Sequence, residues 1–396
     1  MTNDALEQLL PAEAYRAADW FAREERALFS RCWTFAGLES DLPAPGRYLT
    51  VRCGRTSLVV LRDRDGALRA FHNLCRHRGT ELLEGCGELG RAIVCPYHNW
   101  SYGLDGALLG APQQEACFPG LDKSGLGLHP AAVATLKGLI FVHPEAAPAE
   151  PFEAWLASLP EVLWPHDPAA LSEEPELLYE TRCNWKVFYE NAIDGYHLAY
   201  LHKKTLGGPT AGENLWECHG RHLVWYATED GGKSALPAAV AKAMSGSGEI
   251  EGAESGAYGG VFMLYPATIV TASPYDLAVT SIEPLGPETT RLRVRSWARP
   301  SGGIFGGGAR RGRTAGAEPI RLDRLKEHPK ESGDFTLEDL WICEKIQRSL
   351  RSPRFQVGAL ARGPGGEAPL VWFQRQVLDD VGGVDGSSFQ SIQRDR

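Results

Sequence analysis

The sequence predicts an α+β protein of two main units, and three observations carry the prediction. Short β-branched runs separated by Gly, Asp and Arg turns fill residues 45–145. A Pro- and Ala-rich link, PEAAPAEPFEAW, follows them directly. Helical patterns at 184–202 and 335–351 then bracket a second group of strand-like runs. At 396 residues the chain is too long for one core, so division into two or three domains is the natural expectation.

Taken in order, residues 5–31 are rich in Ala, Glu, Leu and Arg and predict one or two helices. Segment 1–44 is therefore assigned as N-terminal helices packing on the last domain. From Gly46 the texture changes: YLTVRC, TSLVVLRD and ALRAFHN alternate as short antiparallel strands do. RDRDG at 62–66 predicts a hairpin turn, because Asp-Gly suits positive φ. GRAIVC and LKGLIFVHP extend this character to residue 145, which defines one domain at 45–145 and another at 146–396. In the latter, HLVWYA, GGVFMLYPATIVTA, DLAVTSIEPL and TTRLRVRSWA predict a second sheet. Gly-rich stretches at 245–260 and 301–316 read as surface insertions.

Composition excludes several classes. Hydrophobic residues at 43% argue for buried cores and against disorder, and a net charge of -9 gives no basic footprint for nucleic acid. No apolar run is long enough to span a bilayer, and the N-terminal segment has no basic region followed by an apolar one. Nine scattered cysteines do not form a disulfide framework, so a reducing cytoplasm is expected.

Two groups of residues carry chemistry. Cys75 and His77 in CRHRG, and Cys95 and His98 in CPYHNW, form a C-x-H and a C-x2-H pair at two expected loop tips. Zinc takes Cys2His2 sets, and so does a Rieske [2Fe-2S] cluster with two Cys on one iron and two His on the other. Zinc fingers segregate their ligands by type, whereas here each loop gives one of each, which suits the cluster. The other seven cysteines (Cys32, Cys53, Cys86, Cys117, Cys183, Cys218 and Cys343) read as small buried hydrophobes or inert thiols.

The second group lies in ENAIDGYHLAYLH, residues 190–202. Asp194 and His197 share a helix face at i, i+3. His197 and His202 are five apart, about 140° on an ideal helix, so both reach one metal only if the helix ends, bulges or bends. Two histidines and one carboxylate make the facial triad of non-haem Fe(II) oxygenases. Asp334, Glu338, Asp339 and Glu344 are the candidate acids in GDFTLEDLWICEKIQRSL.

C-x-H-R-G followed by C-P-Y-H-x-W-x-Y-x-x-D-G resembles the cluster signature of Rieske non-haem iron oxygenase α subunits. E-N-x-x-D-x-x-H-x4-H is similar to the mononuclear-iron motif of the same family. The resemblance covers essentially the whole chain and implies a strand-rich Rieske [2Fe-2S] domain followed by a helix-flanked antiparallel-sheet catalytic domain. It implies a cluster on Cys75, His77, Cys95 and His98, and Fe(II) on His197, His202 and Asp339. A solvated acidic face is then expected to account for Asp334, Glu338 and Glu344. The resemblance also places Asn191 and Asp194 in the catalytic machinery, with Asp194 bridging His197 to a neighbouring subunit's cluster histidine at the His98 position. That bridge implies a trimeric ring, as a homotrimer or an α3β3 assembly.

The activity so implied is that of a terminal oxygenase, using O2 and electrons from an NAD(P)H-dependent reductase, with or without a ferredoxin. No ferredoxin or dinucleotide-binding motif is visible in the chain itself. Arg76 and Arg78 either dock that reductase or hydrogen-bond the cluster loop. Family frequency favours an aromatic substrate, with choline or glycine betaine as the alternative. Phe188, Tyr189, Tyr196, Phe262, Tyr265 and Trp341 supply either a cation cage or core packing. A non-catalytic Rieske electron carrier and a zinc-binding module are the competing classes.

Overall fold

The computed structural model describes residues 7–161, 163–164, 166–205, 216–226, 260–272, 276–298, 318–363 and 366–382. The Gly-rich stretch 301–316 and all but the last residue of 245–260 lie outside the described residues. The chain divides into two compact units. One is Leu28–Trp155; the other joins Met1–Ala27 to Leu156–Arg396.

The boundaries expected at 44/45 and 145/146 thus fall at 27/28 and 155/156. Helix α1 (Ala18–Glu24) belongs to the discontinuous unit. Residues 28–44 do not follow it. Thr34–Leu38 is a strand, β1, at one edge of the first unit's sheet. The apolar run TFAGL is short enough to read either way, and its partner strand lies about 100 residues downstream.

The first unit continues with β2 (Arg47–Cys53), β3 (Thr56–Arg62), β4 (Leu68–His72) and β5 (Cys86–Glu88). Then come β6 (Ile93–Val94), β7 (Ser101–Tyr102), β8 (Leu108–Gly110), β9 (Pro130–Leu136) and β10 (Leu139–His143). Seven strands form one antiparallel sheet in the order β1-β10-β9-β4-β3-β2-β5, and β6-β7-β8 form a small second one. The RDRDG turn closes β3 onto β4: Gly66 takes φ +84°, and Asp63 Oδ1 accepts the N–H groups of Asp65 and Ala67.

Strand β3 divides two cores, because its side chains alternate between the faces of the sheet. Leu58 and Val60 enter a core with Ile140 and Val142. Val59 and Leu61 enter the other, with Phe71, Trp100, Tyr102, Cys75 and Cys95. Both candidate cluster cysteines therefore belong to the core on one face of β3, an interior strand of the sheet.

The discontinuous unit contains β11 (Ser172–Glu173), β12 (Leu177–Thr181), β13 (Trp216–His219), β14 (His222–Tyr226), β15 (Gly260–Leu264), β16 (Thr268–Ala272), β17 (Asp276–Gly286) and β18 (Thr289–Ala298). They form one antiparallel sheet, β11-β18-β17-β16-β15-β14-β13, with β12 also paired to β18. Helices α2 (Trp185–Ile193), α3 (Leu198–Leu201), α4 (Phe335–Ser349) and α5 (Ala368–Gly382) accompany it.

Helix α2 is buried along nearly its whole length, including Lys186, which pairs with Glu24 at 2.5 Å with neither side chain exposed. Glu24 also accepts the indole N–H of Trp20 at 3.0 Å and of Trp185 at 2.9 Å, so the buried charge is fully hydrogen-bonded. Asn184 caps α2 through the N–H of Lys186, and its own N–H reaches Gln347 Oε1 of α4 at 2.8 Å. Among the described residues, no helix is long and apolar enough to cross a membrane.

Candidate functional site

In the first unit, the two Cys/His loops share one backbone design. Gly79 N–H donates to Cys75 O at 2.9 Å, and Asn99 N–H donates to Cys95 O at 3.1 Å. The cysteine N–H groups in turn reach the carbonyls of Thr80 and Trp100, both at 2.8 Å. Each loop turns on a residue at positive φ, Gly79 at +76° and Asn99 at +54°. Glycine and asparagine are the residues that adopt this conformation most readily.

The loops bring the rings of His77 and His98 to 4.8 Å between centroids, with Trp100 stacked on His77 at 4.8 Å. Cys75 and Cys95 are 2% and 1% exposed, and Tyr102 Oη lies 3.2 Å from Cys75 Sγ and accepts the N–H of Arg76. His98 Nδ1 is buried without a hydrogen-bond partner, the kind of orphaned donor or acceptor that a metal satisfies. Burial, reinforced by His98 and Arg78, lowers the His77 pKa, which favours the neutral form that ligation requires. Arg76 donates to Gly127 O at 2.7 Å, so it hydrogen-bonds locally, whereas Arg78 is exposed and lies over Tyr97.

The second unit brings together His197, His202 and Asp339, and breaks the helix first. Helix α2 stops at Asp194, whose φ/ψ of -87°/105° is extended. The single helix read across 184–202 is thus two, and the break falls before His197 rather than between the histidines. His197 and His202 bracket the one turn of α3, and His202 leaves helical geometry at ψ 20°. That short turn resolves the i, i+5 spacing.

The three ligand atoms form a small triangle. His202 Nε2 is 2.9 Å and His197 Nε2 is 3.5 Å from Asp339 Oδ1, and the two Nε2 atoms are 3.1 Å apart. Ligand atoms about 2.1 Å from one ion and at right angles stand about 3.0 Å from one another. Asp339 Oδ1, although this close to both histidines, makes no well-aligned hydrogen bond, so the donors aim at a common point between them. The set therefore fits a mononuclear metal.

Electrostatics point the same way. Burial disfavours a charged His197, yet the carboxylates of Asp194 and Asp339 outweigh it and push the imidazole up to about 9. His202 is likewise raised by Asp339 and Glu338 against its burial. Burial would raise the Asp339 carboxyl, but the two histidines bring it below its usual range. The pocket demands positive charge.

Asp194 places Oδ2 3.3 Å from His197 Nδ1, while its Oδ1 accepts the N–H of Tyr196 at 2.7 Å. Asn191 is buried on α2, and its carbonyl accepts the Asp194 N–H at 3.2 Å.

None of the three remaining acids is a plain solvated face. Asp334 caps α4 through the N–H groups of Thr336 and Leu337 and accepts Tyr179 Oη at 2.8 Å. Glu344 accepts the N–H of Arg182 at 3.0 Å. Glu338 is 1% exposed and meets His202 Nδ1 at 2.7 Å. Glu338, a candidate acid assigned from sequence to a solvated face, is instead buried against His202, and its position beside Asp339 in the chain was the available signal.

The six candidate cage aromatics do not converge. Trp341 faces Lys330, Lys345 and His328, two residues along α4 from Asp339 and so on another face. Tyr265 carries the Arg221 guanidinium at 4.4 Å, and Tyr189 stacks on Phe373 at 4.1 Å. Tyr196 is 54% exposed, while Phe262 and Phe188 are buried, Phe262 against Trp164.

The Rieske [2Fe-2S] domain model matches residues 32–133, and the model of the ring hydroxylating alpha subunit (catalytic domain) matches residues 168–383. The glycine betaine monooxygenase oxygenase subunit of Chromohalobacter salexigens is 36% identical over 197 residues, 50% of this chain and 44% of that protein. The chloroplastic choline monooxygenase of Spinacia oleracea is 26% identical over 363 residues, 88% of this chain and 73% of its own length. The match spans less than half the length of the glycine betaine enzymes. Among solved structures, the quaternary ammonium Rieske monooxygenase CntA with L-carnitine gives a TM-score of 0.70 at 23% identity, covering 96% of this chain and 97% of that one. Naphthalene 1,2-dioxygenase with indole gives 0.69 at 20%, covering 98% and 97%. At these identities the structures establish the fold.

Proposed function

The chain belongs to the ring-hydroxylating α-subunit family, with a Rieske domain ahead of the catalytic one, and from that premise we propose that it is the terminal oxygenase of a quaternary ammonium oxidation system. The observation that carries the oxygenase reading is the triangle of His197, His202 and Asp339, with sides between 2.9 and 3.5 Å. The substrate class is supported by the relatives, which are named as glycine betaine, choline and carnitine monooxygenases. The aromatic substrate expected from family frequency gives way to the alternative, since no curated relative among these acts on an aromatic by its name.

In this reading Cys75, His77, Cys95 and His98 hold the Rieske cluster, and His197, His202 and Asp339 hold Fe(II). When bound, the cluster supplies single electrons and the iron supplies open positions for O2. The protein's own contribution is placement. The capped start of α4 sets Asp339, the α2 break presents His197, and Trp100 and Tyr102 pack the cluster loops. Asp194 serves as the connecting carboxylate, with Asn191 holding the turn that presents it.

Electron delivery between copies in a ring belongs to the same proposal. A CntA structure is described in terms of inter-subunit electron transfer, and here Tyr196 and Tyr200, beside His197, stand 54% and 70% exposed. An NAD(P)H-dependent reductase in the cytoplasm would feed the system.

The test is NADH consumption by the iron-loaded protein with a partner reductase, with product identification. Choline, glycine betaine or carnitine should stimulate consumption and be oxidised, while naphthalene and benzoate should not. Oxidation of only the aromatic compounds would remove the substrate assignment. A colourless, zinc-only protein would remove the oxygenase reading.

A further inference from the structure

We propose that Glu338 is a positioning residue that locks His202 into the tautomer able to bind metal, with Thr205 holding Glu338 in place. The argument rests on which ring nitrogen faces what. Glu338 Oε2 lies 2.7 Å from His202 Nδ1 and also accepts the Thr205 hydroxyl at 2.7 Å. Both Glu338 and His202 are only 1% exposed, so water does not compete for either.

A neutral imidazole carries one N–H and one lone pair, and a carboxylate oxygen that already accepts a hydroxyl can only accept again. Nδ1 must therefore carry the proton, which leaves the Nε2 lone pair facing Asp339 Oδ1 at 2.9 Å and His197 Nε2 at 3.1 Å. The opposite tautomer would leave two acceptors facing each other at Nδ1 and place an N–H where the ion belongs. Glu338 and Asp339 are consecutive in α4, so one helix grips one imidazole at both nitrogens.

His197 has no such lock. Its Nδ1 is 3.3 Å from Asp194 and lacks a well-aligned hydrogen bond, and both side chains are more exposed, at 17% and 19%. The two histidines thus differ in kind: His202 is fixed from within the chain, and His197 is left adjustable.

This inference rests on the mononuclear-iron reading. The test is Fe(II) affinity, by chelator competition, of the full chain carrying its Rieske cluster. Glu338→Leu, which removes the acceptor, should bind Fe(II) 10- to 100-fold more weakly with cluster absorption unchanged. Glu338→Gln keeps an acceptor oxygen, so its loss should stay below about tenfold, and Thr205→Val should fall between it and wild type. Wild-type affinity in Glu338→Leu, or equal losses in the Leu and Gln variants, would overturn the proposal. So would simultaneous loss of the cluster and of cooperative unfolding, which would assign Glu338 to the fold alone. Failure of the wild-type chain to bind Fe(II) would instead remove the parent reading.

Discussion

Asp194 divides its carboxylate, one oxygen 2.7 Å from the N–H of Tyr196 and the other 3.3 Å from His197 Nδ1. The first contact holds the turn that ends α2, and the second touches a candidate iron ligand. Asp194→Asn keeps an oxygen for the turn and discards the charge. It should retain cluster and iron but slow cluster reoxidation in the presence of substrate and O2 on the order of 10- to 100-fold. Stopped-flow absorbance of the cluster reads this directly; an unchanged rate would remove Asp194 from the electron path.

His202 is nearly sealed from solvent, and the two acids beside it, Glu338 and Asp339, are already engaged. His202→Ala should lose about one iron per chain and keep the visible spectrum of the cluster. Metal analysis with EPR separates the two centres.

Tyr102 Oη lies 3.2 Å from Cys75 Sγ, and hydrogen bonds to ligand sulfur raise the potential of an iron–sulfur cluster. Tyr102→Phe removes one such bond, worth about 1 kcal/mol or ~40 mV for one electron. The midpoint potential should fall by that order in a redox titration, with cluster content unchanged.

Lys186 neutralises the buried Glu24 carboxylate, whose donors Trp20 and Trp185 are uncharged indole N–H groups. Lys186→Met leaves that charge uncompensated and should cost about 3–5 kcal/mol in denaturant unfolding. The double variant Glu24→Gln, Lys186→Met removes both charges and should recover much of the loss.

Glu190 carries a pH dependence of definite sign. Burial, opposed by hydrogen bonds from Tyr15 and Gln374, raises its carboxyl from 4.5 to about 7. A folded-state pKa above the unfolded one means that the folded form binds the proton more tightly. Stability from this group is full below about pH 4.5 and is lost as pH rises through 7. Glu190→Gln keeps an oxygen for both donors, so it should exceed wild type by on the order of 2 kcal/mol at pH 8, with the gap closing at pH 5. Melting temperatures at the two pH values test it.

What the sequence disclosed followed from local spacing. The strand alternation of residues 45–145 and the C-x-H and C-x2-H loops are local patterns, and so is Asp194 at three residues from His197. What it hid depended on distant partners. Glu338 looks like any acid on a helix until His202, 136 residues earlier in the chain, arrives beside it. TFAGL becomes a strand because β10 offers an edge. Trp341 seemed near the metal by number, yet two residues along a helix is just over half a turn, which puts it on the opposite face. The break at Asp194 lay between both kinds, since the spacing demanded a distortion without locating it.

The discontinuous unit has a consequence during synthesis. Residues 28–155 leave the ribosome as an uninterrupted block, while Glu24 waits for Lys186 and Tyr15 waits for Glu190, both more than 150 residues behind. At 5–20 residues per second that wait lasts roughly 10–30 seconds. For that interval the leading helix has no home, and the cluster-bearing unit is the first part of the molecule able to fold. The order of translation thus favours building the electron-carrying half before the half that would use its electrons.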